Sequence, residues 1–323
     1  MGNYLVTGAA GFIGARTSEI LISAGHTVSG IDNLNDAYDP TIKRYRLDKL
    51  TKHKQFTFHK ADISHKDVID LFSGQKFDGV INLAARAGVR SSVENPWIFV
   101  ESNVMGTLNM LEVCKNTGLG TFILASTSSI YGSNPPYPTP ETASSSEPLQ
   151  PYAASKKGAE AMAHSYHHLY GMNSNILRFF TVYGPAGRPD LALFRFVQWI
   201  LEGRPVHIFG DGEQSRGFTY IDDIVSGIIA ALNPEGFNVI NLGGHEVITI
   251  NGLVSLIEDL TGKKATVLHG PANPADMFTN WADVSKARDL LGWQPKYDMR
   301  MGTQALIEWY LAERHWANQV ITL

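Results

Sequence analysis

The run Val6-Thr7-Gly8-Ala9-Ala10-Gly11-Phe12-Ile13-Gly14 constrains this chain more than any other stretch. It follows a short apolar segment, Tyr4–Thr7, and opens a pattern of helical period, Gly11–Ala24. Glycines at 8, 11 and 14 remove the side chains that would block a tight turn, a close approach of backbone to a bound group, and the packing of helix on strand. The helix starts with unpaired N–H groups and a partial positive charge, so the turn suits a pyrophosphate. A second apolar run, His26–Asp32, ends in a carboxylate. An acid there accepts both adenosine ribose hydroxyls of NAD and repels the 2′-phosphate of NADP.

Further strands are predicted at Phe56–Lys60, Val80–Ala84 and Phe122–Ser126, with helical segments between most of them. Strands alternating with helices predict an α/β fold of Rossmann type, a doubly wound parallel sheet covered on both faces. Six of the 15 prolines crowd into residues 133–151, so neither helix nor strand runs through that stretch, and a long loop inside a compact domain is often functional. Beyond residue 184 the rhythm becomes irregular: helices at Leu191–Leu201 and Ile221–Ala231, a strand at Phe237–Leu242, a helix at Ile250–Thr261. The expected division is a dinucleotide-binding domain over 1–183, rejoined by a strand near 237–243, and a smaller interleaved α/β substrate domain over 184–323.

Composition excludes several classes. Twenty-seven basic against 31 acidic residues give a charge of −4, which argues against binding nucleic acid by charge. The single cysteine, Cys114, excludes an intrachain disulfide and a multi-cysteine zinc site and fits a reducing cytoplasm. No apolar run approaches the roughly 20 residues of a membrane span. The first strand begins almost at once, so no signal peptide is expected.

The chemistry centres on Tyr152-Ala153-Ala154-Ser155-Lys156, which opens a helical pattern. Residues four apart share a helix face, so phenol and ammonium can address one cleft. A free tyrosine, with a pKa of about 10, is a poor base near neutrality. A neighbouring ammonium and the positive nicotinamide favour the phenolate. Ser126-Thr127-Ser128-Ser129 ends the fifth strand, at the edge where open α/β sheets bind ligands, and a hydroxyl there can bond a substrate oxygen and relay its proton. His164, His167 and His168 include a pair at metal-like spacing, but no acidic partner completes a set nearby and hydride chemistry needs no metal, so none is assigned.

With these residues the chain resembles the extended short-chain dehydrogenase/reductase family, and over nearly its whole length the nucleotide-sugar epimerases within it. The similarity is carried by the glycine turn, by Tyr152 and Lys156, by Ala84-Ala85-Arg86-Ala87-Gly88-Val89-Arg90, by Arg178-Phe179-Phe180-Thr181-Val182-Tyr183-Gly184-Pro185, and by Phe209-Gly210-Asp211-Gly212-Glu213-Gln214-Ser215-Arg216. The resemblance implies a tightly held, recycled NAD contacted by Gly8, Ala10, Gly11, Phe12, Ile13, Gly14, Asp32, Asn33, Asp62, Ile63, Leu83, Ala84 and Ala85, with Tyr152 and Lys156. It implies a catalytic set of Thr127, Tyr152 and Lys156.

Related dehydratases place Asp-Glu after the catalytic Thr, and uronate decarboxylases place a Glu in the same strand end. Here Ser128 and Ser129 stand there, so elimination lacks its acid and base. What remains is oxidation at C4, rotation and re-reduction. Thr127, Ser128, Ser129, Thr181 and an arginine, Arg188, suit a sugar carboxylate, which only accepts hydrogen bonds. With Tyr38-Asp39-Pro40-Thr41-Ile42-Lys43-Arg44 they resemble the UDP-glucuronate 4-epimerases. Arg188 also reads as a diphosphate ligand, although Arg216 is the better candidate, with Arg90 a further substrate contact and Asp276 a contact for ribose or uracil. Thr181 replaces the usual Asn of the epimerase pattern, Gly217 the usual Asp, and Arg86 the usual Gln, His or Met. The partner implied is a small-molecule UDP-sugar, and helices near 101–115 and 155–170 could pair two copies as a homodimer. An epimerase of neutral UDP-sugars and a non-catalytic NAD-binding regulator are the alternatives.

Overall fold

The computed structural model describes residues 1–271 and 279–322. Its strands are β1 (Asn3–Thr7), β2 (Thr27–Asp32), β3 (Phe56–Lys60), β4 (Gly79–Asn82), β5 (Thr121–Thr127), β6 (Ser174–Phe179), β7 (Thr181–Tyr183), β8 (Val206–Phe209), β9 (Ser215–Tyr220), β10 (Phe237–Leu242), β11 (Glu246–Thr249), β12 (Val267–Gly270) and β13 (Thr279–Asn280). Seven of them form one parallel sheet in the order β10-β6-β5-β4-β1-β2-β3. Central strands read as unbroken apolar runs because helices cover both faces: Leu5, Val6, Val80, Ile81, Ile123 and Leu124 are all inaccessible to solvent. The chain order reverses between β1 and β4, and ligands of such sheets sit beyond the carboxyl ends of strands at that crevice.

The strands foreseen at Phe56–Lys60 and Phe237–Leu242 have those bounds, whereas the one expected to reach Ala84 ends at Asn82. Strand β6 was not foreseen, because Asn175 and Arg178 interrupt its apolar run. Both are buried and bonded: Asn175 donates to the carbonyls of Ala231 at 2.7 Å and Pro234 at 3.0 Å. Nor was the helix Pro40–Leu50, whose charged sequence hides an inward face of Ile42, Lys43, Arg46 and Leu50. Asp39 caps it by accepting from Thr41 N at 2.9 Å, and Pro40 fits its first turn.

The remaining strands form two small sheets. Strand β9 pairs with β7 and β13 in parallel and with β11 antiparallel, and β8 pairs with β12. Residues 133–150 form no helix, Pro151 opens the next one, and the stretch clamps the large sheet to the segment carrying β13. Thr139 N donates to Trp281 O at 3.0 Å, Asp283 N to Thr139 O at 2.9 Å, and Tyr137 Oη to Thr279 O at 2.6 Å. The histidines 164 and 167 pack their rings against Phe237 on the edge strand, at centroid distances of 4.9 and 5.9 Å. Among the described residues, no helix is long and apolar enough to cross a membrane.

Candidate active site

A cavity of about 340 Å³ opens at the carboxyl ends of β1, β2, β4 and β5. Its floor is the glycine turn. Gly8 takes φ +66°, a conformation costly for any side chain, and a Cβ there would lie 3.0 Å from the Ala84 backbone. A Cβ on Gly14 would be driven into the Gly8 carbonyl, so the first helix, Phe12–Ser23, can start so near β1 only as glycine. Thr7 supports the same junction: its hydroxyl donates to Asn82 Oδ1 at 2.7 Å and accepts from Ala84 N at 2.9 Å.

The residues expected around a dinucleotide come together here. Gly8, Gly11, Phe12, Ile13, Gly14, Asp32, Asn33, Asp62, Ile63, Leu83, Ala84 and Ala85 line the cavity with Tyr152 and Lys156. Ala10 does not: it is fully buried behind the turn, where its N–H donates to Asp32 Oδ2 at 3.1 Å. Asp32 thus braces the turn as well as facing the cavity. Asp62 accepts from Asn33 Nδ2 at 2.7 Å and from Ser64 N at 2.9 Å, and against the cost of burial these bonds hold its carboxyl below the usual range. The glycine turn and the carboxylate ending β2 fit an NAD molecule lying along this floor.

Residues near the turn that the sequence reading left without a role include Arg46. It is buried and spends its guanidinium on backbone, donating to Ala10 O at 3.2 Å, Ala186 O at 2.7 Å and Gly187 O at 2.9 Å. It ties the glycine turn to the loop that carries Arg188. Only the unpaired apolar-and-cation stripe of a charged helix could have signalled this.

Tyr152 and Lys156 lie in the first turns of the helix Pro151–Tyr170, with Thr127 at the end of β5. Tyr152 shares a hydrogen bond with Thr127. Burial pushes the phenol above its ordinary value, while Thr127 and the Arg188 charge pull it back. Arg188, which lines the same cavity, thus adds its charge to the surroundings of the phenol. Lys156 instead donates to Ala125 O at 2.9 Å, and burial lowers it to about 8 against the upward pull of Glu160. Glu160 is itself buried and held bidentately by Arg178, at 3.0 and 2.8 Å, while Ser126 Oγ donates to it at 2.6 Å. Neither Glu160 nor Arg178 had been singled out for a role.

On the far wall, Thr181 and Arg188 line the cavity. Arg188 is engaged by Asp190, at 3.1 and 2.5 Å, and its guanidinium lies 5.8 Å from the Tyr38 ring centre. Ser128 and Ser129 follow Thr127 in a 3-10 turn just outside the residues that line the cavity. Arg90 stacks on the Phe209 ring at 4.6 Å, and Arg216 Nη1 donates to Ser215 O at 2.7 Å. Asp276 lies outside the described residues. Gly217 has a steric reason, since a Cβ there would fall on the carbonyl of Gly244. At Arg86 the backbone matters: its N–H and C=O bond Asn103 at 2.9 and 3.0 Å, and Asn103 also donates to Ser155 Oγ at 2.9 Å.

A nucleotide floor beside a Thr-Tyr-Lys set defines a dinucleotide-dependent enzyme of the short-chain dehydrogenase/reductase class. The family model described as GDP-mannose 4,6 dehydratase matches residues 5–306, and the chain belongs to that family. A protein of Thermodesulfobacterium geofontis named UDP-glucuronate 4-epimerase is 51% identical over 312 residues, 96% of each chain. The crystal structure of UDP-glucuronic acid 4-epimerase from Bacillus cereus in complex with UDP-glucuronic acid and NAD matches with a TM-score of 0.88 and 38% identity, over 96% of this chain and 99% of that one. A UDP-glucose 4-epimerase of Thermotoga maritima with UDP-glucose matches with a TM-score of 0.90 and 32% identity, over 97% and 99% of the two chains.

Proposed function

We propose that this chain is an NAD-dependent 4-epimerase that interconverts UDP-glucuronate and UDP-galacturonate. The observation that carries the reading is the hydroxyl turn Thr127-Ser128-Ser129 beside Tyr152, with no carboxyl group in it, in a chain 51% identical to a UDP-glucuronate 4-epimerase. Residues 1–183 with β10 hold the dinucleotide in this reading, and residues 184–323 mainly the UDP-sugar.

When bound, NAD supplies the acceptor for the C4 hydride and its return donor. The glycine turn and Asp32 hold its pyrophosphate and adenosine ribose. Tyr152 takes the C4 hydroxyl proton, with Thr127 bonded to the phenol and Lys156 behind it on the same helix face. Burial favours the neutral phenol, so Tyr152 must first release its own proton to solvent and then, as the phenolate, take that of the C4 hydroxyl. The Thr127 hydrogen bond and the Arg188 charge oppose the effect of burial and keep the phenolate within reach. The 4-keto sugar then turns about its diphosphate link, and Tyr152 returns the proton to the C4 oxygen. A 4-keto uronate is a β-keto acid that can lose CO₂. Hydroxyls of Ser128, Ser129 and Thr181, with Arg188, hold the carboxylate in place and oppose that loss. Arg216 takes the diphosphate, with Arg90 a further substrate contact.

We also infer a homodimer in a cytoplasmic setting. Trp97, Val100, Met105, Leu169 and Tyr170 are between 44% and 77% exposed on the segments 97–105 and 151–170, an apolar surface suited to a second copy. Light scattering giving the mass of two chains is the expected outcome.

The test of the activity is NMR of purified protein with UDP-glucuronate and no added NAD. UDP-galacturonate is the expected product. A UDP-pentose would mean that the carboxylate is lost, and no reaction even with NAD supplied would leave neutral UDP-sugars as the substrates.

A further inference from the structure

One polar contact beside the cavity has no part in the roles assigned so far. Asn280, on β13, donates from Nδ2 to Ser128 Oγ at 2.9 Å, joining positions 152 residues apart. We propose that Asn280 is a positioning residue for uronate recognition: by donating to Ser128 Oγ it commits the Ser128 hydroxyl proton to the carboxylate at C6 of the UDP-sugar.

The argument rests on the proton count of a hydroxyl. Serine has one O–H to give and two lone pairs to receive. Ser128 is buried, so bulk water does not compete freely for these positions. Once an amide N–H occupies a lone pair, the serine proton is left for an acceptor. A carboxylate offers acceptors alone, whereas the neutral CH₂OH of a hexose brings its own proton, which also needs a partner. The orientation imposed by Asn280 therefore favours the uronate. Had the partner been an acid, the serine would have donated to it and turned its lone pairs toward the substrate.

The backbone around Asn280 is held on several sides. Asn280 pairs with Arg216 in the register of β13 with β9, and Thr279 Oγ1 lies 3.2 Å from Ser215 Oγ. Trp281 O accepts from Thr139 N at 3.0 Å, and Ala282 N donates to Gly244 O at 3.0 Å. The amide is thus fixed relative to the strand carrying the diphosphate arginine, and the serine relative to Thr127 and Tyr152. Asn280 links diphosphate seat and carboxylate seat through one rigid strand pair.

The inference rests on the uronate reading, and the experiment separates the two. NAD-loaded enzyme is titrated calorimetrically with UDP, UDP-glucose and UDP-glucuronate. Wild-type protein that does not prefer UDP-glucuronate overturns the functional reading before any variant is made. Given that preference, Asn280→Ala is expected to weaken UDP-glucuronate by about 5- to 10-fold while leaving UDP and UDP-glucose within about twofold. Asn280→Asp is expected to weaken it by about 100-fold, because the serine proton is diverted and a second negative charge faces the substrate. In a Ser128→Ala background, Asn280→Ala should add nothing, since the two act as one unit. Unchanged uronate affinity in both variants overturns the proposal. So does an equal loss for UDP, which would mark Asn280 as a support of the diphosphate strand, and so does simple additivity with Ser128→Ala.

Discussion

On the sheet side of the cleft, the residues of the dinucleotide floor come from short contiguous stretches at strand ends: Gly8 and Gly11–Gly14 after β1, Asp32 and Asn33 at the end of β2, Leu83–Ala85 after β4. On the opposite side, Thr181 and Arg188 line the cavity, and Arg216 and Asn280, proposed above for the substrate, come from two further segments, each placed by tertiary contacts. Arg188 is set by the loop that Arg46 holds, Arg216 and Asn280 by strand pairing, and Asn280 again by the proline-rich clamp. One wall is specified by local geometry that any parallel α/β unit repeats. The other depends on how remote segments are docked. Specificity can therefore change on the second wall while the hydride chemistry on the first stays in place.

Four substitutions break or sharpen that contrast. The largest effect belongs to Tyr152→Phe, which should lower turnover of UDP-glucuronate by about 10³- to 10⁴-fold while bound NAD, read by absorbance after denaturation, is retained. Retained turnover would remove Tyr152 from its role. Next, Gly14→Ala pushes a methyl group into the Gly8 carbonyl and should cost about 3 kcal/mol in urea unfolding together with most of the NAD content. Normal NAD content would mean that the floor is less local than drawn. Across the cleft, Arg188→Ala should reduce kcat/KM for UDP-glucuronate by about 10- to 100-fold with NAD content unchanged. Loss of NAD in this variant would erase the distinction between the two walls.

The smallest effect concerns stability. Burial lowers Lys156 from its ordinary 10.5 to about 8, so below pH 8 the folded protein carries the cost of a buried ammonium. Between about 8 and 10.5 the folded state releases that proton while the unfolded chain keeps it, so stability from this group rises with pH across the window. Lys156→Met should accordingly raise the melting temperature of inactive enzyme by about 2–4 °C at pH 7, a gain that shrinks as pH climbs from 8 toward 10.5 in calorimetry. A lower melting temperature for the methionine variant would mean that the bond to Ala125 O outweighs the burial cost.

Legibility followed the same divide. The glycine turn, the acid ending β2 and the Tyr-Lys pair could be read because each is a spacing rule that needs only its own helix or strand. Strand β6 escaped because buried Asn175 and Arg178 look like surface residues until their partners, Pro234 O and Glu160, are known. Arg46 escaped for a similar reason: the stripe of Ile42, Lys43, Arg46 and Leu50 marks an inward face, but the carbonyls that satisfy the guanidinium come from remote loops. The expectation that a neighbouring ammonium and the positive nicotinamide favour the phenolate did not include Arg188, whose charge also acts on Tyr152, nor the bond from Lys156 to the β5 backbone.

The sequence by itself determined the parallel α/β sheet, the glycine turn and the Tyr-Lys pair on one helix face, because these follow from backbone sterics, helix periodicity and short-range spacing. Only the tertiary structure decided which cation faces the phenol, which carboxylate sits behind the lysine and which amide orients Ser128. Those outcomes depend on the meeting of side chains from remote segments in a buried, low-dielectric space, where a shift of an ångström decides whether two groups bond. No local rule carries that information.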